Sequence, residues 1–268
     1  MFSGIGPKKH LQETGIRCIK NSPGVGENLL DHPAYAGLIF LVRKGTGFIT
    51  DQVLGWKNLF YPNDNIRNYV VNRQGPLTNP IFNAVGYVNS NNVSSLDERP
   101  DLELLMSSGT LVQDAYTRRI FGISEEYFNK YYAKNLKHDA FMIWPVLLKP
   151  KSRGKVLLRS VDAQDKPILF ANYFQDRSDV ETLIRGIRMA VEVGKSSAMR
   201  NHETRFYEEP VPGCENLPYD SDAYWECALR TFSVSGNHQA GSCKMGLRQD
   251  PMTVVDYKLR VRIIISTN

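Results

Sequence analysis

The sequence predicts an α+β fold in which helices flank a mostly antiparallel sheet. Three apolar segments of strand length are separated by turn-rich stretches and do not alternate strictly with helices: 35–42, 102–106 and 141–148. Residues 155–160 and 167–174 flank a polar turn, which predicts a β-hairpin. An apolar stripe at helical spacing follows Ser178 and predicts a long helix that packs against one face of the sheet.

The first elements in chain order follow from proline and glycine positions. Residues 7–14 predict a short helix, because Pro7 suits the first helical position and Gly15 suits the position after the last turn. The first apolar segment then predicts a single buried strand. Pro145 lies inside the third apolar segment and cannot donate a backbone hydrogen bond, so it predicts an edge strand or a bulge there.

Two amphipathic helices are predicted in the second half of the chain. Ser178 and Glu181 form a capping-box pattern at the start of the first, and Gly194 suits its far end. The second begins at Ser221. Its predicted apolar face consists of Trp225, Ala228, Leu229 and Phe232.

Composition excludes several classes of function. The chain has 268 residues, of which 42% are hydrophobic, and this content suits a globular core. Its 33 Lys and Arg and 28 Asp and Glu are dispersed and give a net charge of +5, so we predict no nucleic-acid partner. No apolar stretch approaches the roughly 20 residues of a membrane-spanning helix.

The four cysteines leave one question open. None has the C-x2-C spacing of a zinc site, and acidic residues and histidines do not cluster, so no metal site is predicted. Cys214 and Cys227 lie thirteen positions apart and either form a disulfide in a secreted protein or are two buried thiols. A glycosylation triplet at 92–94, Asn-Val-Ser, is a further feature of secreted proteins.

One histidine is the candidate catalytic residue. His238 lies in the segment 236–246, which reads Gly-Asn-His-Gln-Ala-Gly-Ser-Cys-Lys-Met-Gly. Histidine accepts a proton near neutral pH, and oxidation of an alcohol requires the hydroxyl to lose one. Small neighbours let a flat ring and a substrate approach the backbone closely. The alternative is a histidine bonded inside a turn.

The N-terminal part carries two further motifs. Residues 3–7 read Ser-Gly-Ile-Gly-Pro, and residues 23–33 read Pro-Gly-Val-Gly-Glu-Asn-Leu-Leu-Asp-His-Pro. Asp31 and His32 in the second motif are either a proton relay or, as we favour, groups that bond to the backbone together with Asn28. The other histidines are predicted to be surface or incidental residues: His10, His138 and His202.

Together and in this order, the motifs resemble the glucose-methanol-choline (GMC) family of flavin-dependent oxidoreductases, in particular its insect glucose-dehydrogenase-like branch, over residues 2–261. In that family the histidine of the motif His-x-x-Gly-Thr-Cys-x-Met faces the flavin and is taken as the catalytic base. The present motif is His-Gln-Ala-Gly-Ser-Cys-Lys-Met, so the resemblance makes His238 the base. It also implies Asn28 and Asp256 as cofactor-binding residues; the alternative for Asp256 is a turn cap.

The resemblance implies an oxidoreductase that acts on CH–OH groups of an alcohol or a sugar and passes a hydride to FAD. It implies an extracellular parent protein and leaves the electron acceptor open between a quinone-like compound and oxygen. The implied domains are a remnant of a Rossmann-like FAD-binding domain at 1–33, a substrate-binding domain at 34–229, and an active-site segment with a truncated return to the FAD-binding domain at 230–268. We therefore expect a fragment of a longer enzyme. The alternative is a non-catalytic truncated product or binding module that keeps only the substrate-domain fold.

Overall fold

The computed structural model describes residues 1–46, 64–78, 82–91, 99–110, 118, 119, 121–133 and 138–262. The glycosylation triplet at 92–94 lies outside this part of the chain. Two units are distinguished by their internal contacts. We call them the motif unit, which comprises Met1–His32, Pro150–Asp179 and Ser235–Asn268, and the sheet unit, which comprises Pro33–Lys149 and Val180–Val234.

The strands, in chain order, are β1 Ile5–Gly6, β2 Lys20–Asn21, β3 Pro33–Tyr35, β4 Ile39–Leu41, β5 Phe82–Val88, β6 Leu102–Ser108, β7 Ala140–Leu147, β8 Lys155–Leu157, β9 Ile168–Phe170, β10 Arg205–Phe206 and β11 Ser233–Ser235. The α-helices are α1 Lys8–Glu13, α2 Asp64–Arg67, α3 Glu125–Tyr131, α4 Arg177–Gly194, α5 Ser197–Arg200 and α6 Asp222–Phe232. A π-helical turn, Asn68–Asn72, and a 3-10 turn, Pro76–Thr78, follow α2.

The sheet unit is built around β7, in which all eight residues are buried. On one side β7 pairs antiparallel with β6, and β6 pairs antiparallel with β5. On the other side it pairs antiparallel with both β4 and β3, through Ile39↔Met142 and Ala34↔Val146. Strand β10 extends this side beyond β4, and β11 pairs with β3. The predicted fold class, antiparallel sheet with flanking helices, is confirmed.

Two strand predictions in this sheet were wrong in detail. The segment 35–42 is not one strand, because residues 36–38 separate β3 from β4. Pro145 does not mark an edge, because it lies within the central strand β7, opposite Leu104. On the other side of β7 the register shifts by one residue, from Ala34↔Val146 to Ile39↔Met142, opposite the segment that contains Pro145. Ile143 N donates to Leu38 O at 3.3 Å, and alternate residues of a strand face the same neighbour. The missing N–H of Pro145 therefore falls at the break between β3 and β4, where it interrupts no ladder.

The long helix α4 is present, but it begins differently from the prediction. Asp176, not Ser178, caps its N-terminus: Asp176 Oδ1 accepts hydrogen bonds from Ser178 N at 2.9 Å and Ser178 Oγ at 2.6 Å. These bonds from Ser178 lower the pKa of the Asp176 carboxyl. The Ser178 hydroxyl thus donates to the capping carboxylate and is not itself the cap.

The apolar stripe of α4 packs on the sheet as predicted. Leu183 and Ile187 are fully buried, and Val191 is partly buried. Gly186 lets α4 approach strands β6 and β7 closely, because a Cβ there would lie 3.0 Å from Leu102 Cδ1 and 3.0 Å from Pro145 Cβ. The helix therefore lies against β6 and β7.

Helix α6 is also confirmed. Ser221 caps it by accepting a hydrogen bond from Tyr224 N at 3.1 Å. The predicted apolar face is buried, namely Trp225, Ala228, Leu229 and Phe232. The structure also decides between the two interpretations of the nearby cysteines, since Cys214 and Cys227 form a disulfide with Cα atoms 5.9 Å apart.

The motif unit joins segments that are distant in sequence. Strands β1 and β2 pair in parallel, and α1 lies between them in the chain over fewer residues than the predicted 7–14. Strands β8 and β9 form the predicted hairpin, with Lys155 opposite Phe170. Isolated antiparallel bridges link the residue pairs Val25↔Cys243, Leu29↔Gly154 and Leu30↔Ala240. These bridges bring the N-terminal motif alongside the segment that carries His238.

Candidate active site

Main-chain hydrogen bonds place the two motifs side by side within the motif unit. Leu30 N donates to Ala240 O at 2.8 Å, and Ala240 N donates back to Leu30 O at 2.9 Å. Gly236 N donates to His32 O at 3.0 Å. The Asp31–His32 dipeptide therefore lies directly opposite the segment around His238.

A single buried carboxylate organises the site. Asp31 is 5% exposed, and its Oδ1 atom accepts hydrogen bonds from His32 N at 2.8 Å and His238 N at 3.0 Å. Its Oδ2 atom accepts from three side chains: the Tyr173 hydroxyl, Ser235 Oγ at 2.5 Å and Gln239 Nε2 at 3.3 Å. A buried carboxylate needs such donors to remain ionised. We call Asp31 and these donors the Asp31 network.

The Asp31 network keeps its carboxylate negative. Burial by itself raises the pKa of Asp31, but the hydrogen bonds from Ser235, Tyr173 and two backbone N–H groups outweigh burial and lower the pKa below its usual value. Burial, together with donation to this anion, raises the pKa of Tyr173 to about 12. Tyr173 is therefore a fixed neutral donor at physiological pH.

The rings of His32 and His238 meet within hydrogen-bonding distance. Their Nδ1 atoms lie 3.1 Å apart, and the ring planes are inclined at 89° with centroids 5.2 Å apart. Residues 237–240 are exposed. His238 therefore presents its ring at a surface of the motif unit while the Asp31 network holds its backbone.

Two special backbone positions shape the segment. Gly236 fits tightly, because a Cβ there would lie 2.8 Å from His32 O and 3.3 Å from His238 Nδ1. Gly241 has φ +91°, in the left-handed region, and a Cβ there would lie 2.5 Å from Asn28 O. Asn237 also has a positive φ, 57°, which asparagine tolerates better than most residues. The backbone turns that expose His238 therefore depend on these residues.

The two residues predicted to bind cofactor have intramolecular partners. Asn28 Nδ2 donates to Gly241 O at 3.1 Å, and Asn28 Oδ1 accepts from Arg153 Nε at 3.3 Å. Asp256 accepts from the backbone N atoms of Lys258 and Arg260 and from the Arg260 guanidinium. The hydrogen bonds from Arg260 lower the pKa of Asp256 to about 2. Asn28 thus braces the His238 segment, and Asp256 caps a turn.

Two other histidines have different surroundings. His10, predicted to be a surface or incidental residue, is half-buried, and its Nε2 atom accepts a hydrogen bond from Leu158 N at 2.9 Å that ties α1 to the hairpin. His202 is exposed.

Within the described residues, no group of three or more histidines, cysteines and carboxylates could hold a metal ion. No helix in that part of the chain is long and apolar enough to cross a membrane.

Sequence reasoning missed the three side chains that donate to Asp31, namely Tyr173, Ser235 and Gln239. Tyr173 is 142 positions from Asp31 and lies in the connection after β9, so no local pattern pointed to it. Ser235 directly precedes Gly236 in the motif segment, and its proximity to His238 in sequence could have marked it. The preference for a backbone-bonding role of Asp31 over a relay agrees with its hydrogen bonds to two main-chain N–H groups.

Comparison with known proteins relates the chain to one family of oxidoreductases. Residues 150–264 match the sequence model of the GMC oxidoreductases. The chain is 36% identical to glucose dehydrogenase [FAD, quinone] of Drosophila pseudoobscura pseudoobscura and 34% identical to that of Drosophila melanogaster, in each case over 97% of this chain. These matches confirm the resemblance found in the motifs: the chain is related to the GMC oxidoreductases.

The two Drosophila glucose dehydrogenases are longer than this chain. It spans 38% of the length of both Drosophila glucose dehydrogenases. Among solved structures, a formate oxidase from Aspergillus oryzae RIB40, studied for its FAD modification, matches with a TM-score of 0.72 at 24% identity. That match covers 97% of this chain and 44% of the formate oxidase. It shows that the fold is shared.

Proposed function

We propose that this chain contributes the catalytic base and part of the substrate side of an FAD-dependent oxidoreductase that acts on the CH–OH group of an alcohol or a sugar. The observation that carries the proposal is the exposed His238 ring on a backbone fixed by the buried Asp31 carboxylate. A catalytic base has to be accessible to substrate and held in one position, and this arrangement meets both requirements.

In this function His238 accepts the proton of the substrate hydroxyl at its Nε2 atom. FAD, when bound, supplies the acceptor for the hydride that leaves the same carbon. The Asp31 network holds the His238 backbone during the transfer. Gln239 Nε2 donates to Ser235 Oγ at 2.7 Å as well as to Asp31, so the residue after the base is fixed too.

The residues around His238 fit a flat flavin ring. Residues 237–240 are exposed, and Ala240 and Gly241 carry little or no side chain beside the base. Asn28 supports this surface through its bond to Gly241 O. We keep Asn28 and Asp256 as predicted cofactor-binding residues, but with indirect roles, because their side chains already have partners within the chain. Asn28 shapes the flavin-facing backbone, and Asp256 fixes the turn that carries Arg260.

The proposed substrate and electron acceptor come from the names of two relatives, and the proposed location is supported by the disulfide. Two relatives are named glucose dehydrogenase [FAD, quinone], so we propose a sugar or a related alcohol as substrate and a quinone-like acceptor. We propose an extracellular location for the whole protein. The Cys214–Cys227 disulfide supports it, because disulfides persist in oxidising compartments.

The test is anaerobic reduction of the flavin in a protein of the relatives' length that contains this chain. We expect glucose or a simple alcohol to bleach the oxidised flavin, and a quinone to restore its colour. Matched reactions with the corresponding acid, which has no CH–OH group to oxidise at that carbon, serve as the control. A flavin-loaded protein that no sugar or alcohol bleaches would favour the alternative, a non-catalytic product or binding module.

A further inference from the structure

The contact between His32 and His238 couples the tautomers of the two rings. Their Nδ1 atoms are 3.1 Å apart, which is a hydrogen-bonding distance. In such a contact one Nδ1 carries the hydrogen and the other presents its lone pair. The bond made by one ring nitrogen of a histidine fixes the protonation of the other. The state of His238 Nε2 therefore depends on His32.

The main chain holds the two rings in register. Asp31 Oδ1 accepts from both backbone N–H groups, at 2.8 Å from His32 and 3.0 Å from His238. Gly236 donates to His32 O at 3.0 Å and has room for no side chain between the strands. Because one oxygen atom positions both residues, the contact between the rings is a built feature of the site.

The two directions of this hydrogen bond have different chemical consequences. If His32 donates, neutral His238 carries its hydrogen on Nε2 and has no lone pair there to accept a substrate proton. A proton gained on Nδ1 of His238 would then face the hydrogen of His32. If His238 donates, its Nε2 has a free lone pair. The same hydrogen bond then persists after His238 gains a proton, and it becomes stronger because its donor is charged.

We propose that His32 is a positioning residue that accepts a hydrogen bond from Nδ1–H of His238 and so leaves Nε2 of His238 as the proton acceptor. This inference rests on the proposed function, in which the substrate hydroxyl loses its proton to His238. The O–H bond of the substrate breaks and an N–H bond forms at Nε2. The resulting positive charge on His238 is stabilised by the lone pair on His32 Nδ1.

The direct test is nitrogen NMR of the chain labelled with 15N at histidine, which has five histidines. Two-bond proton–nitrogen correlations distinguish a protonated ring nitrogen from one with a lone pair, and they require neither flavin nor turnover. We expect His238 to be protonated at Nδ1 with a lone pair at Nε2, and His32 to have a lone pair at Nδ1. The reverse assignment, or a mixture of both forms in His238, would overturn the proposal.

Three variants make the spectrum decisive. His32→Asn keeps an acceptor close to the position of Nδ1, so His238 should keep its single form. His32→Ala removes the acceptor, so His238 should populate both neutral forms; if it stays fixed at Nδ1–H, another group sets it and the proposal fails. His202→Ala removes an exposed histidine outside the pair and should leave the His238 resonances unchanged.

Kinetics of the flavin-loaded whole enzyme give a second readout. His32→Ala should lower kcat by about 10-fold or more, the scale seen when the partner that orients a metal-binding histidine is lost. KM should change less, and His32→Asn should recover most of the rate. Equal losses in both variants would contradict the acceptor role. Full turnover in His238→Ala would instead refute the proposed function, while the measured form of His238 would stand independently.

Discussion

At the scale of single residues, Asp31 connects the motifs. Its carboxylate accepts five hydrogen bonds, two from backbone N–H groups and three from side chains. Removing charge from a buried group with so many donors leaves some of them without a full partner. Replacing Asp31 should therefore disturb the site most while leaving the side chain of His238 in place.

We expect Asp31→Asn to lower the free energy of unfolding by about 2 kcal/mol, because an amide offers one acceptor oxygen where the carboxylate offers two. Asp165→Asn is the matched control. Asp165 accepts a hydrogen bond from Ser160 Oγ in an exposed turn, and its change should stay within about 0.5 kcal/mol. Urea denaturation of the three proteins measures both values. Equal stability of Asp31→Asn and the parent chain would show that the network does not stabilise the fold.

The lowered pKa of Asp31 also predicts a pH dependence. A carboxyl whose folded pKa lies below its unfolded value, about 3.9, stabilises the fold fully above that value. The stabilisation disappears as the pH falls through the lower, folded pKa. The chain should therefore lose stability as the pH drops below about 4, and Asp31→Asn should lose less over the same interval. Denaturation curves from pH 6 to pH 3 test this, and parallel slopes would contradict it.

At the scale of elements, α4 is the helix whose packing the sequence predicted best. Leu183 is fully buried in the sheet unit, and Val193 on the same helix is 48% exposed. We expect Leu183→Ala to cost about 2–5 kcal/mol of unfolding free energy, because it removes buried methyl groups and leaves a cavity. Val193→Ala should stay within about 0.5 kcal/mol. Thermal or urea unfolding distinguishes them, and similar small effects would mean that this face is not packed.

The disulfide anchors α6 to the segment before it. Cys227→Ser should lower the unfolding free energy by about 3 kcal/mol, since the bridge spans a sequence separation of 13 and restricts the unfolded chain. Cys243→Ser is the control, because Cys243 is a free and exposed thiol. Non-reducing mass spectrometry should find the parent chain with Cys214 and Cys227 linked. Free thiols at both positions after folding in air would contradict the structure.

The sequence predicted local elements well and long-range arrangements poorly, for physical reasons. Helices α4 and α6 and the β8–β9 hairpin are set by periodicity, caps and turns over short distances. The cap of α4 was misplaced because Asp176 and Ser178 both suit that role, and their mutual hydrogen bond decides it. The break between β3 and β4 and the central position of Pro145 depend on strand pairing, which local patterns do not specify.

In the candidate site, too, the sequence predicted what lies within one segment and did not predict contacts between distant segments. His238 was identified from its own segment, but its contacts with His32 and Asp31 were not predicted, because they join residues more than 200 positions apart. The donation from Tyr173 to Asp31 joins residues 142 positions apart and could only come from the fold. Asn28 and Asp256 were taken from the resemblance as cofactor-binding residues, and their hydrogen bonds within the chain agree with the structural alternatives, a backbone bond for Asn28 and a turn cap for Asp256.

At the scale of the whole molecule, the motif unit carries the proposed chemistry and the sheet unit forms a packed antiparallel core. The motif unit gathers the N-terminal motif, the β8–β9 hairpin and the His238 segment from three parts of the chain. The Drosophila glucose dehydrogenases are longer proteins, and this chain spans 38% of their length. In the proposed reaction, one histidine of the motif unit accepts the proton of the substrate.

The most direct measurement is the rate of anaerobic flavin reduction by substrate in the whole enzyme and in its His238→Ala variant. We expect the rate to fall by about 10²-fold or more, the usual scale for loss of a general base, with a smaller change in substrate affinity. His202→Ala, which removes an exposed histidine outside the site, should reduce its flavin at the parent rate. Flavin reduction in His238→Ala at the rate of the parent enzyme would contradict the account.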